Sequence, residues 1–283
     1  MIRPRVVSPT VTGFGARTPT LPPATHTNSY ALGGRDVLLV EPATPYEDEQ
    51  REWIAWARSL PGQGRTPKAI VATHHHPDHV GGIDVLGKEL GLPLWAHAKT
   101  EELLPHVSFA RLLADGEVLD LDGPVPERWH VLHTPGHAWG HVCLHEPTLG
   151  ALVVGDMVAS AGTILISTQD GDMKIYMEQL ERLAALDAKV ALPAHGDPIE
   201  EPSKLFRRYV VHRTMRENKV IGALAKRDGR AATASGLLPD AYDDTPPALF
   251  PFALQSLEAH LAKLVVDGRA TFDGTTYTLA DAP

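Results

Sequence analysis

The stretch Ala69-Ile70-Val71-Ala72-Thr73-His74-His75-His76-Pro77-Asp78-His79-Val80-Gly81-Gly82 decides how this chain is read. Apolar β-formers lead into it and a glycine pair leaves it, so residues 69–73 predict a buried strand with a sharp exit. Metal-capable side chains then follow in the order His-x-His-x-Asp-His. Imidazoles and a carboxylate at the end of a buried strand are costly unless something pairs with them, and a metal ion is the obvious partner. In an extended segment residues two apart share a face, which groups His74 with His76 and turns His75 away. Pro77 helps turn the chain and presents Asp78 and His79 to an adjacent point. That arrangement suits two metals side by side, since a single tetrahedral catalytic zinc needs only three protein ligands.

Further ligand candidates lie where other strands should end. His137 closes Thr134-Pro135-Gly136-His137, after a predicted strand at 129–133. Asp156 follows the apolar run Ala151-Leu152-Val153-Val154-Gly155, and His195 follows Val190-Ala191-Leu192-Pro193-Ala194. Each has a neighbouring glycine that permits close approach. The other histidines get plainer readings: His75 as structural or solvent-facing, His141 and His145 as packing groups or supports of the ligands. Cys143 reads as a small buried hydrophobe.

Composition bounds what surrounds this cluster. The 283 residues are 43% hydrophobic and 22% charged, as in ordinary globular proteins, which allows one large domain or one with a smaller companion. A net charge of −9 argues against binding nucleic acid or membrane over the whole surface. The charge is uneven: from Ser203 onward 11 Lys+Arg meet 9 Asp+Glu, against 15 and 26 upstream. Cys143 is the only cysteine, which excludes an intrachain disulfide and a cysteine-based zinc site. The start carries Arg3 and Arg5 without an apolar core, so no secretory signal is expected. No apolar run is expected to approach a membrane span, and a cytoplasmic protein is the default.

Along the chain, strands are expected at 6–11, 27–32, 36–40, 93–96, 116–121, 129–133, 142–145, 151–154 and 190–192. Helices are expected at 46–60, from Ile83 to Leu90, at 103–113 and at 172–186. Gly33-Gly34 reads as a hairpin turn. The mixture suits an α/β sandwich with antiparallel pairs better than a doubly wound parallel sheet. Pro202 marks a boundary between domains 1–202 and 203–283. Beyond it Ser203 is read as the cap of a helix running to about Arg227. Helices at 233–242 and 250–266 follow, then a hairpin around Asp273-Gly274, which together suggest a winged helix.

The motifs His-x-His-x-Asp-His, Thr-Pro-Gly-His, Gly-Asp and Pro-Ala-His-Gly, in this order over residues 27–200, resemble the metallo-β-lactamase superfamily of metallohydrolases. The resemblance implies an αββα sandwich holding two divalent ions. One would be bound by His74, His76 and His137, the other by Asp78, His79 and His195, with Asp156 bridging. True β-lactamases place a cysteine where Asp156 stands, which disfavours an antibiotic hydrolase. Two ions about 3.5–4 Å apart would share a water and bring its pKa toward neutral, and Asp78 would take the proton from that water to leave hydroxide. Zinc is the first expectation, and the carboxylates also admit iron or manganese.

The tail pattern Tyr209-x-x-His212-Arg213-x-x-Arg216-Glu217, then Thr245-Pro246 and His260-Leu261-x-Lys263-Leu264, looks like the branch of that superfamily with a winged-helix C-terminal domain. That branch includes a mitochondrial endoribonuclease and is similar to thioesterases that release polyketides from carrier proteins. The expected chemistry is thioester or ester hydrolysis on a small-molecule or carrier-bound acyl substrate, with single-strand RNA cleavage as the alternative. RNA binding calls for a basic patch. Arg207, Arg208, Arg213 and Arg216 read instead as a solvated helix face. The helix 254–266 offers Glu258, His260 and Lys263 and no arginine, which disfavours DNA readout. Packing of the winged helix on the catalytic domain or on a second copy of the chain is expected. Glutathione thioesters find no matching basic cluster, and the substrate-binding residues are not legible.

Overall fold

The computed structural model describes residues 4–160 and 162–280, so Arg3 lies outside the described residues. The chain divides into two compact units. One comprises Met1–Thr134, Trp139–Thr163 and Leu186–Pro202, the other Pro135–Ala138, Ile164–Ala185 and Ser203–Pro283.

The first unit contains two sheets. One has seven strands in sequence order: β1 (Arg5–Ser8), β2 (Val11–Arg17), β3 (His26–Leu32), β4 (Asp36–Val40), β5 (Thr66–Val71), β6 (Leu94–His97) and β7 (Arg111–Leu113). Its first four strands are antiparallel neighbours, and β4 to β7 run parallel. The other is ordered β12 (Val190–Pro193), β11 (Ala151–Gly155), β10 (Val142–Glu146), β9 (Glu127–His133), β8 (Val118–Leu121). Only its β11–β12 pair is parallel. The mixed pattern is the one expected from the sequence. Tyr30, Leu38, Val40 and Val71 of the first sheet share one buried cluster with Trp129, Val131, Leu144 and Val153 of the second. This shared core makes the two sheets a sandwich.

The opposite face of the first sheet is covered by helices. In α1 (Glu47–Ser59), Trp53, Trp56 and Ala57 are buried and cluster with Phe14, Leu39 and Ile70. Trp56 stacks on Phe14 with ring centroids 5.3 Å apart. The metal-motif hexamer leads into α2 (Pro77–Val80) and α3 (Ile83–Leu90). Gly81 and Gly82 keep negative φ angles, so they mark a close approach and not a left-handed turn. A Cβ on Gly82 would stand 2.7 Å from the Thr44 carbonyl oxygen.

Three local expectations are corrected here. The strand read over 6–11 is two strands, separated where the Ser8 hydroxyl accepts from the Val11 amide at 3.1 Å. The helix read over 103–113 is the end of α4 (Ala98–Leu103), a loop and β7. Leu104, Val107 and Phe109 fill a satellite core with Val80 and Ile83. The predicted strand at 69–73 ends at Val71, so His74 to His76 lie in a loop and strand alternation does not orient them.

In the second unit, α5 (Met173–Ala184) is capped by Asp172, whose carboxylate accepts from the Ile175 amide at 2.9 Å. Then come α6 (Pro202–Ala225), α7 (Ala234–Ala241), α8 (Phe250–Val266) and the hairpin β13 (Ala270–Phe272) and β14 (Tyr277–Leu279). Val220, Leu224, Leu237, Leu257, Leu261 and Leu264 form their core. Ser203 does not cap α6, which begins at Pro202; among the described residues its hydroxyl has no hydrogen-bond partner. The expectation that nothing approaches a membrane span is also corrected. The stretch Pro247–Val266 is long and apolar enough to cross one by length and composition. Its Leu257, Leu261 and Leu264 pack into the unit's own core.

The solvated face assigned to the α6 arginines holds for Arg207 and Arg208 only. Arg213 and Arg216 are 3% and 8% exposed. Arg213 donates to the Ile164 carbonyl and lies over Tyr176. Arg216 donates to the Ala241 carbonyl at 3.1 Å and to Asp244 at 2.8 Å, with its guanidinium 4.4 Å from the Tyr242 ring centroid.

Candidate metal centre

Four elements of the first unit bring six of the expected ligands together. The loop after β5 carries His74 and His76, and α2 begins at Pro77, whose missing N–H costs nothing in a first turn. That turn presents Asp78 and His79. Asp156 follows β11, and His195 follows β12.

His79 Nε2, His195 Nε2, Asp78 Oδ2 and Asp156 Oδ1 converge. His79 Nε2 stands 3.8 Å from Asp78 Oδ2 and 3.6 Å from Asp156 Oδ1. His195 Nε2 stands 3.4 Å from Asp78 Oδ2 and 3.3 Å from Asp156 Oδ1. Ligand atoms about 2.0–2.1 Å from a tetrahedral ion lie roughly 3.3–3.4 Å from one another, so the spacing fits a cation at the middle. Among the described residues His79 Nε2, which is buried, has no hydrogen-bond partner, as expected of a metal-facing atom. His74 Nε2 and His76 Nδ1 meet at 3.0 Å, a second pair of donors.

Hydrogen bonds behind these rings fix which nitrogen carries the proton. His195 Nδ1 is 3.0 Å from the His26 carbonyl oxygen, which can only accept, so in the neutral ring Nε2 keeps the lone pair. His79 Nδ1 donates to Glu41 Oε1 at 3.0 Å. The Thr73 hydroxyl donates to the same carboxylate at 2.6 Å and therefore accepts from His74 Nδ1 at 3.0 Å. Each of these rings turns Nε2 toward the centre. Such carboxylate and carbonyl partners orient a ligand and raise its basicity.

His137 belongs to the second unit with Pro135, Gly136 and Ala138. It is 7% exposed, and its Nδ1 donates to the Leu165 carbonyl at 3.0 Å, the same tautomer as the others.

Charge completes the picture. Burial pushes His79 and His195 toward neutrality. Glu41, Asp78 and Asp156 outweigh it at His79 and hold that ring well above its usual range. Asp156, with help from Asp78, lifts His195 to about 10. Burial opposes ionisation of Asp78, yet His79 and His195 hold its carboxyl down at about 2. The same two imidazoles keep Asp156 well below the usual carboxylate range. A buried site that draws protons onto two imidazoles is a site built for positive charge.

Two supports of the ligands, Glu41 and Thr73, are not legible in the sequence. Glu41 was missed; it follows the apolar strand Val37-Leu38-Leu39-Val40, the same signal that exposed Asp156, and its φ of 64° is unusual for a side-chain-bearing residue. Thr73 was read only as the strand's last residue. His141 supports a ligand, as expected: the Asp156 amide donates to its Nε2 at 3.1 Å, and Thr134 Oγ1 lies 2.8 Å from its Nδ1. Gly155 allows this contact, since a Cβ there would sit 2.5 Å from His141 Nε2. His75 is half-buried, and Cys143 is buried as expected.

A two-sheet sandwich with histidine and aspartate donors gathered at strand ends defines a metal-dependent α/β enzyme. Residues 22–195 match the Metallo-beta-lactamase superfamily model, and residues 233–277 match the Beta-lactamase associated winged helix domain. The chain belongs to the metallo-β-lactamase superfamily. It is a hydrolase of that family with a C-terminal winged helix, as its motifs implied. It is 28% identical over 254 residues to a Beta-lactamase-like protein 2 homolog of Drosophila melanogaster, covering 86% of this chain and 83% of the relative. An Atrochrysone carboxyl ACP thioesterase of Passalora fulva is 30% identical over 87% of this chain and 73% of its own length. Among solved structures, a beta-lactamase domain protein from Burkholderia ambifaria superposes with a TM-score of 0.80 at 22% identity, over 98% of this chain and 93% of that one.

Proposed function

We propose that the chain is a binuclear metallohydrolase of thioesters or esters. The observation that carries the reading is the convergence of His79, His195, Asp78 and Asp156 on one point, with two carboxylates among the donors. His74 and His76 supply donors for a second ion; His137 enters on its Thr-Pro-Gly-His motif alone, and Asp156 is assigned the bridge. The domains are taken as 1–202, catalytic, and 203–283, winged helix. Zinc is the first choice, with iron or manganese also compatible.

When bound, divalent ions would supply Lewis acidity and bring a water's pKa toward neutral. The protein's own part is to aim the donors, hold the water and receive its proton, a role assigned to Asp78. The water oxygen bonds to the acyl carbon, the carbon–sulfur or carbon–oxygen bond breaks, and the departing thiol or alcohol takes up a proton. The products are a carboxylic acid and a thiol or alcohol. The thioesterase named among the relatives favours an acyl group on a carrier protein or a small thiol. A cytoplasmic setting is proposed on the single buried cysteine.

The test is a paired assay of purified protein on acyl-thioesters and single-stranded RNA, with Asp156→Ala as control. Hydrolysis of the thioester alone, absent in the variant, is the expected result. Cleavage of RNA alone would reverse the substrate assignment.

A further inference from the structure

The loop between β2 and β3, which carries none of the ligand motifs, reaches His195 of the metal centre. Its base is closed by the Thr18 amide on the Thr25 carbonyl at 3.4 Å and by the Thr18 and Thr27 hydroxyls at 2.8 Å. From that base Thr20 Oγ1 lies 3.4 Å from His195 Nε2. This is the ring atom that faces Asp78 and Asp156 at 3.4 and 3.3 Å. His195 Nδ1 already donates to the His26 carbonyl, so in the neutral ring that can ligate a cation Nε2 carries the lone pair and the Thr20 hydroxyl is the donor.

That bond cannot coexist with ligation. A cation at the centre takes the Nε2 lone pair, and the Thr20 O–H must find another acceptor within reach of the same point. The neighbouring carboxylates are assigned to the cation. An incoming oxygen is what remains.

We propose that Thr20 is a positioning residue whose hydroxyl donates to the oxygen entering beside His195, first that of the attacking water and later that of the carboxylate product. The proposal rests on the hydrolase reading above and adds to it a contact from outside the ligand motifs. Thr20 would act by orientation, touching the reacting oxygen and no metal.

Cobalt(II) and acetate test this without turnover. Cobalt affinity is measured by chelator competition on the full-length protein, and acetate affinity by the visible spectrum of the cobalt-loaded form. Thr20→Val should bind cobalt within about twofold of the original protein and acetate about ten- to hundredfold more weakly, the loss of one hydrogen bond to a charged group. Thr20→Ser should restore acetate binding. With an acyl-thioester, Thr20→Val should lower kcat and leave KM unchanged. Unchanged acetate affinity in Thr20→Val overturns the proposal. So does a loss of cobalt affinity with acetate unaffected, which would make Thr20 a support of His195 only. If the original protein binds no cobalt, the metal reading itself fails and takes the proposal with it.

Discussion

The strand ends of the first unit and helix α6 of the second both bury ionisable side chains, but they dispose of them differently. At the strand ends, hydrogen bonds reach the back of each ring: His195 to the His26 carbonyl, His79 to Glu41, His74 to Thr73. The front atoms are left facing one another. On α6 the charges are closed internally, Arg216 on Asp244 and Glu217 with Lys263 at 2.8 Å. Both regions are rich in histidine, arginine or carboxylate. What separates a site from a brace is where the remaining donor and acceptor atoms point.

The comparison breaks most visibly at Asp156. Asp156→Ala should lower turnover by roughly 10³-fold or more, with a circular dichroism spectrum like that of the original protein. Retained activity would remove Asp156 from the bridge. Glu41→Gln keeps the shape but weakens the acceptor behind His79 and Thr73. It should cost about 10–100-fold in metal affinity, read by chelator competition. In the second unit, Arg216→Ala should lower unfolding free energy by about 2 kcal/mol in denaturant titration, because a charge-assisted hydrogen bond is lost. Metal affinity should not follow. A matching fall in both would show that the two regions are not independent.

The metal-free protein should show the sign of the buried charges. The folded pKa of His195 is raised to about 10, so its contribution is complete below its ordinary value of 6.5 and is lost as pH rises through about 10. That of Asp78 is depressed to about 2, so its contribution is present above 3.8 and lost as pH falls through about 2. Thermal unfolding of the chelated protein should therefore peak between these ordinary values, and added zinc should remove the alkaline decline. The smallest effect is expected at His260. It is fully buried, and among the described residues neither ring nitrogen has a hydrogen-bond partner. Burial, then Arg213, Lys263 and Arg216, keep it neutral. His260→Leu should change stability by within about 1 kcal/mol, in either direction.

Much of this was legible because ligands cluster where local pattern is strongest. Apolar β-runs followed by Asp156 or His195 announce a strand and its functional tip together. Glu41 sits in the same position after Val37–Val40, but a lone glutamate before proline carries no motif, and its purpose appears only when His79 folds against it. Thr20 had no local signal at all; its meaning comes from a contact 175 positions away. The α6 arginines misled for a related reason. Their spacing shows one helix but not which side of it meets Tyr176, Tyr242 and Asp244.

The most direct test of the central claim is metal stoichiometry. Protein purified without chelators, or reconstituted with zinc and desalted, is analysed by inductively coupled plasma mass spectrometry against its measured concentration. Two ions per chain are predicted, since two donor groups need two cations. One ion or none would contradict the binuclear account.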